Sequence, residues 1–281
     1  MRADPACAGL GRRLHGVVAV ALLAGLSGNA IAAMPCGAPA LGALAGVERS
    51  QWEEFDAQGK SLVRERGTLQ VAGLQALGRC GAVDWSAQWT RSQGQRDYDG
   101  ITSTQAPLQT QSQLRAQALS IAAWLPVSGG WAVGSQLGYR QIRRDIASAG
   151  NALGYPERFD YLQAALGVRY QAALGEQVRL SASGWLGGGP GGHVKVDLPR
   201  ADPVTLPLGS SRLLALSLEL DGSASAQPGW SWRAGVLYRR EQTGAGDAQA
   251  LTRNGVTVGA ALQPRFVQRH LGATAVLAYR F

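Results

Sequence analysis

The chain has 281 residues, with 27 Lys and Arg against 19 Asp and Glu, a formal net charge of +8, and only three histidines and three cysteines. After residue 33 no window approaches the roughly 18 consecutive apolar residues of a membrane helix, so a membrane reading must rest on strands, whose signal per segment is weaker. Three histidines argue against a histidine metal cluster, and no basic stripe interleaved with aromatics supports nucleic-acid binding.

At the start of the chain, Arg2, Arg12 and Arg13 precede an apolar run from Gly16 to Gly25, followed by Asn29, Ala30, Ile31, Ala32 and Ala33. This pattern predicts a secretory signal over residues 1–33, cleaved after Ala32 or Ala33, and a mature chain of residues 34–281. Loss of Arg2, Arg12, Arg13 and Asp4 leaves a net charge of +6. Only Lys60 and Lys195 are lysines. High coding G+C content accounts for most of that arginine bias, so position must carry any further claim. Cys36 and Cys80 remain in an oxidising compartment, either as a bridge or as two free thiols that never meet.

The mature chain reads as successive period-two segments. The first, about Leu41 to Phe55, is the least regular. Leu69 to Leu77 alternates but slips phase at Gly73 and Leu74, which predicts a bulge. Alternation continues through Val83 to Trp89, Leu114 to Trp124, Trp131 to Tyr139, Leu162 to Tyr170 and Val178 to Leu186. Leu214, Leu216, Leu218 and Leu220 then alternate with Ala215, Ser217, Glu219 and Asp221, which puts two carboxylates toward an interior that must be polar or wet. Trp230 to Arg239 follows, and Leu271 to Phe281 alternates without a break and stops on an aromatic.

These ten segments have connections that alternate in length. Short links fall at Gly78 to Gly81, Pro126 to Gly130, Ala172 to Glu176 and Ser223 to Gly229; long polar loops are expected over Arg91 to Gln111, Ile142 to Asp160, Gly187 to Ser211 and Arg240 to Arg265. The turn at Asp56 to Lys60 is the short external exception. An even-stranded antiparallel transmembrane barrel has this asymmetry, with both termini in the periplasm. Trp85, Trp89, Trp124, Trp131, Tyr139, Trp230, Trp232 and Tyr238 are read as its outward aromatic girdle. The expectation is an all-β, ten-stranded barrel in the outer membrane of a Gram-negative bacterium.

A family resemblance then becomes specific. Gly138, Tyr139, Gln141 and Arg143, followed by Gly154, Tyr155, Arg158 and Phe159, resemble in order and spacing the omptin family of outer-membrane proteases. In that family a Tyr-x-Glu-x-Arg stretch and a Gly-Tyr-x-x-Arg-Phe stretch grip lipopolysaccharide phosphates. The resemblance implies a lipopolysaccharide site at Tyr139, Gln141, Arg143 and Arg158, with Gln141 standing where the family has Glu. It also implies an aspartic-type rim site, in which Asp97 and Asp99 match the family's Asp-x-Asp pair and His193 matches its Asp-x-His dyad. The partner Asp of that dyad is Gly191 here, and Gly189 stands where the family has an acidic pocket residue. An imidazole without its carboxylate loses tautomer and orientation control, worth about four orders of magnitude in the serine-protease comparison.

Two functions follow from the resemblance: a surface endopeptidase with a weakened site, or a non-catalytic barrel that binds a surface ligand as an adhesin. A small pore is a third, although long inward Arg and carboxylate side chains would plug it. The implied partners are lipopolysaccharide, the outer membrane, and a peptide or protein substrate or surface ligand, with a monomeric barrel. No cofactor is implied, and lipopolysaccharide is itself a candidate requirement for activity.

Overall fold

A computed structural model describes residues 36–101, 106–223 and 229–281. The expected signal segment lies outside them. Fourteen strands are present among the described residues: β1 (Ala40–Phe55), β2 (Ser61–Cys80), β3 (Val83–Ile101), β4 (Pro107–Ser128), β5 (Trp131–Ile146), β6 (Pro156–Ala173), β7 (Val178–Gly189), β8 (Gly192–Val196), β9 (Val204–Leu208), β10 (Ser211–Ser223), β11 (Trp230–Thr243), β12 (Gln249–Arg253), β13 (Val256–Ala261) and β14 (Arg265–Arg280). Ten of them pair antiparallel with their neighbours and close through β1 on β14, which leaves the wall without a free edge. β8 and β9 form a hairpin that pairs along the external half of β6, above β7, and β12 and β13 form a separate two-stranded loop.

Register fixes the barrel's shape. Followed round the wall from Arg143 on β5, the cross-strand partners run through Arg115, Gln93, Gln70, Val47, Ala273, Val236, Leu218, Ala182 and Tyr170. They return to β5 at Trp131, twelve residues nearer the periplasm. A stagger of that size tilts the strands steeply against the barrel axis. The outward phase carries a continuous apolar belt, including Leu74, Ile121, Leu137, Leu166, Leu186 and Leu277, all more than half exposed. Aromatic pairs on the outer wall mark its periplasmic edge, Trp131 with Tyr170 at 4.9 Å and Trp230 with Tyr279 at 5.3 Å between ring centroids. Exposed leucine in such quantity is stable only against hydrocarbon. The wall is therefore a membrane wall.

The interior divides into two levels. Toward the external end, Trp52 stacks on Phe266 at 4.4 Å and meets Phe159 at 5.1 Å, inside a shell of Leu69, Ile142, Val194, Leu206 and Leu208. Toward the periplasm, glycine, alanine and serine replace these bulky groups on the inward phase, leaving a cavity of about 790 Å³.

Three sequence expectations change. The register of β2 runs unbroken past Gly73, so there is no bulge there. The apparent slip arises because Leu69 packs into the interior layer while Leu74 faces lipid, making both faces of one strand apolar at different heights. Trp124 is not part of the outward girdle: it points inward, 7% exposed, against Trp185. Finally, much of the expected loop sequence is strand, since β3 runs to Ile101, β4 starts at Pro107, β5 ends at Ile146 and β6 starts at Pro156. Above the membrane water wets the outer face and buried polar residues fill the inner one, so the apolar alternation disappears while the ladder continues.

Candidate functional site

Asp97 and Asp99 lie on β3, where Arg96 and Tyr98 take the inward phase and are buried. The two aspartates therefore point outward. In the β2 ladder they sit opposite Arg66 and Arg64, so opposite charges face each other in the register of a solvated sheet face. His193 lies on β8, exposed between the inward Val194 and the turn at Gly191. From β3 to β8 the wall crosses β4, β5 and β6, four inter-strand steps and roughly 19 Å along the surface at ~4.8 Å each. The structure does not bring Asp97 and Asp99 to His193, and it turns all three away from the interior.

Gly191 also has a structural reason to be glycine. Its φ is +117°, and a Cβ there would collide with the carbonyl oxygen of Leu208 on the neighbouring strand. An aspartate two residues before His193 has no room.

The residues of the lipopolysaccharide motif do come together. Tyr139, Gln141 and Arg143 share the outward face of β5, and Arg158 and Asp160 share that of β6. Asp160 is the hub. It accepts hydrogen bonds from the Tyr139 hydroxyl at 2.6 Å and the Gln141 amide at 2.8 Å, with Arg158 at 3.6 Å and His193 at 3.8 Å. Burial alone would raise the Asp160 carboxyl, but the hydrogen bonds from Tyr139 and Gln141 and the neighbouring positive charge outweigh it and hold the group below the usual carboxylate range. Asp160 stands directly opposite Gln141 in the register. One register row outward, Arg115, Arg143, Arg158 and Lys195 are successive partners on β4, β5, β6 and β8.

This cluster belongs to a wider collar. On β1, β3, β10, β11 and β14 the first outward polar residue beyond the apolar belt is an arginine: Arg49, Arg91, Arg212, Arg240 and Arg269. Lys195, Asp160 and these collar arginines went unnoticed in the sequence, although carrying each alternation one step past its last apolar residue would have found most of them.

Inside the wall and above the belt lies a charge cluster. Arg144 contacts Glu54 at 2.7 Å, Glu65 at 3.2 Å and Glu157 at 2.6 Å, and Arg96 contacts Glu65 at 2.8 Å. The Arg144 guanidinium lies over Trp52 at 4.7 Å. Burial, with the charges of Glu54 and Glu65 adding to it, outweighs Arg144 and pushes the Glu157 carboxyl up to about 7. Glu54 is consumed by this network. Glu53 faces outward between Arg64 and Arg269.

Cys36 and Cys80 form a disulfide at the periplasmic edge, tying the segment before β1 to the end of β2. No group of three or more potential metal ligands occurs among the described residues.

A closed barrel with an apolar outer belt and a charged collar is an outer-membrane protein. No family model and no curated relative matches the chain in sequence. Among solved structures it is similar to the outer membrane protease OmpT from Escherichia coli, at a TM-score of 0.50 and 12% identity over 86% of this chain and 96% of that one. It is also similar to the translocator domain of the autotransporter NalP from Neisseria meningitidis (TM-score 0.43, 12% identity, 86% and 88% covered) and to Neisserial surface protein A (0.31, 12%, 88% and 99%). At such identities the likeness concerns the barrel fold.

Proposed function

We propose that this protein is a non-catalytic outer-membrane barrel, seated in lipopolysaccharide by its outward cationic collar, that offers its external loops as a binding surface. The observation that carries the reading is the strand phase of the rim residues. Asp97, Asp99 and His193 point to the outside of the wall, and His193 lies four strand steps from the two aspartates, whereas activating a single water needs a base and its partners within about 3 Å of it. The interior above the belt is packed with Trp52, Phe159 and Phe266 and the Arg144 network, which leaves no open groove at that level.

The collar, by contrast, suits phosphate. Arginine forks bind phosphate oxygens bidentately, and Arg143, Arg158, Lys195 and His193 sit just beyond the edge of the hydrocarbon belt, beside Tyr139. In this reading His193 is a headgroup contact, and the omptin resemblance extends to architecture and lipid recognition without the rim chemistry. The β12 and β13 hairpin, with Val256 and Val258 exposed, supports the loop-binding part of the proposal, because apolar groups held out in water mark contact surfaces.

The test is binding of the refolded barrel to lipopolysaccharide vesicles. The Arg143→Glu, Arg158→Glu double variant should bind at least tenfold more weakly than wild type, with the difference shrinking at high salt. Equal binding by both proteins would remove the collar from the account.

A further inference from the structure

The cavity in the periplasmic half of the barrel is blind. Its described lining runs from exposed Arg79 and Arg179 at the periplasmic edge up to Arg140, Gln163, Arg239 and His270, where the Trp52 layer closes it. The sequence anticipated a polar interior and offered only a plugged pore for it, and the collar leaves it untouched.

The blind end is built and donor-rich. Glu241 fixes two guanidinium groups, accepting from Arg140 at 3.2 Å and from Arg239 at 3.0 Å. Arg239 also donates to the Gln163 side-chain oxygen at 2.6 Å, which sets the orientation of that amide. In this arrangement the Gln163 Nε2, the Arg140 Nε and the Arg239 Nε are all buried and make no hydrogen bond. Gln163 is 7% exposed and Arg140 8%. Across from them Glu48 and His270 pair with each other at 3.3 Å. Three buried N–H donors thus stand unpartnered beside one buried, unpartnered acceptor, the Glu241 Oε1, and the donors in excess cost free energy unless something enters to accept from them.

Charge points the same way. Seven arginines line the cavity against four carboxylates, and Glu241 behind the blind end makes five. Much of that surplus stands at the open end, where Arg79 and Arg179 are exposed, while at the blind end Arg140 and Arg239 are matched by Glu241 and Glu48. The charge at the mouth draws anions in from the periplasm, and the unpartnered donors at the blind end are what would hold one.

We propose that the cavity is an anion-binding chamber, in which a small oxyanion, carboxylate or phosphate, enters from the periplasm and is held by Arg140, Gln163 and Arg239. Its reach is limited to solutes that fit about 790 Å³ and cannot pass the closed external end. The site is independent of the collar and of the loop surface.

The experiment is titration calorimetry of the refolded wild-type barrel with inorganic phosphate and, separately, with acetate. Gln163→Glu is the decisive variant. It keeps the oxygen that Arg239 donates to, so the barrel keeps that contact, while replacing the free N–H with negative charge. Heat-modifiable gel mobility checks that it is folded. Arg143→Gln, Arg158→Gln controls for anions held by the outer collar. Saturable one-to-one binding of either anion, unchanged in the collar variant and weakened at least tenfold in Gln163→Glu, supports the chamber, and the preferred anion identifies the ligand class. Absence of saturable binding, or equal binding by folded Gln163→Glu, overturns it and leaves a hydrated cavity.

Discussion

Replacing Arg144 with methionine tests the interior network most sharply. The side chain bridges Glu54, Glu65 and Glu157 and covers Trp52, so three buried carboxylates share Arg144 and Arg96. Methionine keeps most of the packing volume and removes the charge, leaving the three carboxylates with Arg96 alone. Breaking a buried ion network from one side costs about 3–5 kcal/mol, because the abandoned charges cannot reach water. The loss should depend on pH. Glu157 has a folded pKa of about 7 against an ordinary value of 4.5, so its contribution is full below 4.5 and is lost as pH rises through 7. Removing Arg144, which holds the Glu157 value down, shifts that loss to still higher pH, so at pH 5 the variant buries a neutral acid there. Urea unfolding in lipopolysaccharide-containing micelles, followed by tryptophan fluorescence, should show a deficit of about 3–5 kcal/mol at pH 8 and one smaller by at least about 1 kcal/mol at pH 5. An equal deficit at both pH values, or one below about 1 kcal/mol at pH 8, would refute the assignment of Arg144 as the hub.

Three further outcomes are expected. The Cys36→Ser, Cys80→Ser variant should lose about 4 kcal/mol by the loop-entropy relation for a sequence separation of 44, measured by the same unfolding assay. Gly191→Asp should fail to create a dyad with His193 and should destabilise the β8 and β9 hairpin, seen as faster proteolytic nicking between residues 190 and 208, because the left-handed backbone and the Leu208 carbonyl leave no space for a side chain. Arg49→Ala, Arg91→Ala and Arg240→Ala should each weaken lipopolysaccharide binding by about 1 kcal/mol at low salt, roughly fivefold, and their effects should add when combined.

The membrane part of the fold was legible because lipid imposes a simple rule: every outward position is apolar, so Leu214 to Leu220 or Leu271 to Phe281 announces itself. Above the bilayer that rule lapses. Arg96 and Tyr98 turn in to a packed polar layer while Asp97 and Asp99 turn out to water, and a polar pattern on both faces reads as loop. The same lapse hid the site. Matching Asp97, Asp99 and His193 to a family motif fixed their order along the chain but not their strand phase, and an offset of one residue decides whether a side chain enters a groove or leaves it. Tyr139, by contrast, closes the legible alternation of Trp131 to Tyr139, and β5 continues it, so Gln141 and Arg143 keep the outward phase that Tyr139 announces. Asp160 was invisible for a different reason: its role comes from the cross-strand partner of Gln141, which no single segment reveals.

The central claim is that the rim residues do no peptide chemistry, and cleavage tests it directly. The refolded barrel with lipopolysaccharide present should be incubated with a diverse peptide library, alongside folded Asp97→Ala, Asp99→Ala and His193→Ala variants. The account predicts no cleavage above that of the variants. Cleavage by the wild type that each of the three substitutions abolishes would contradict it, and would mean that the wall rearranges to bring β3 and β8 to a common site.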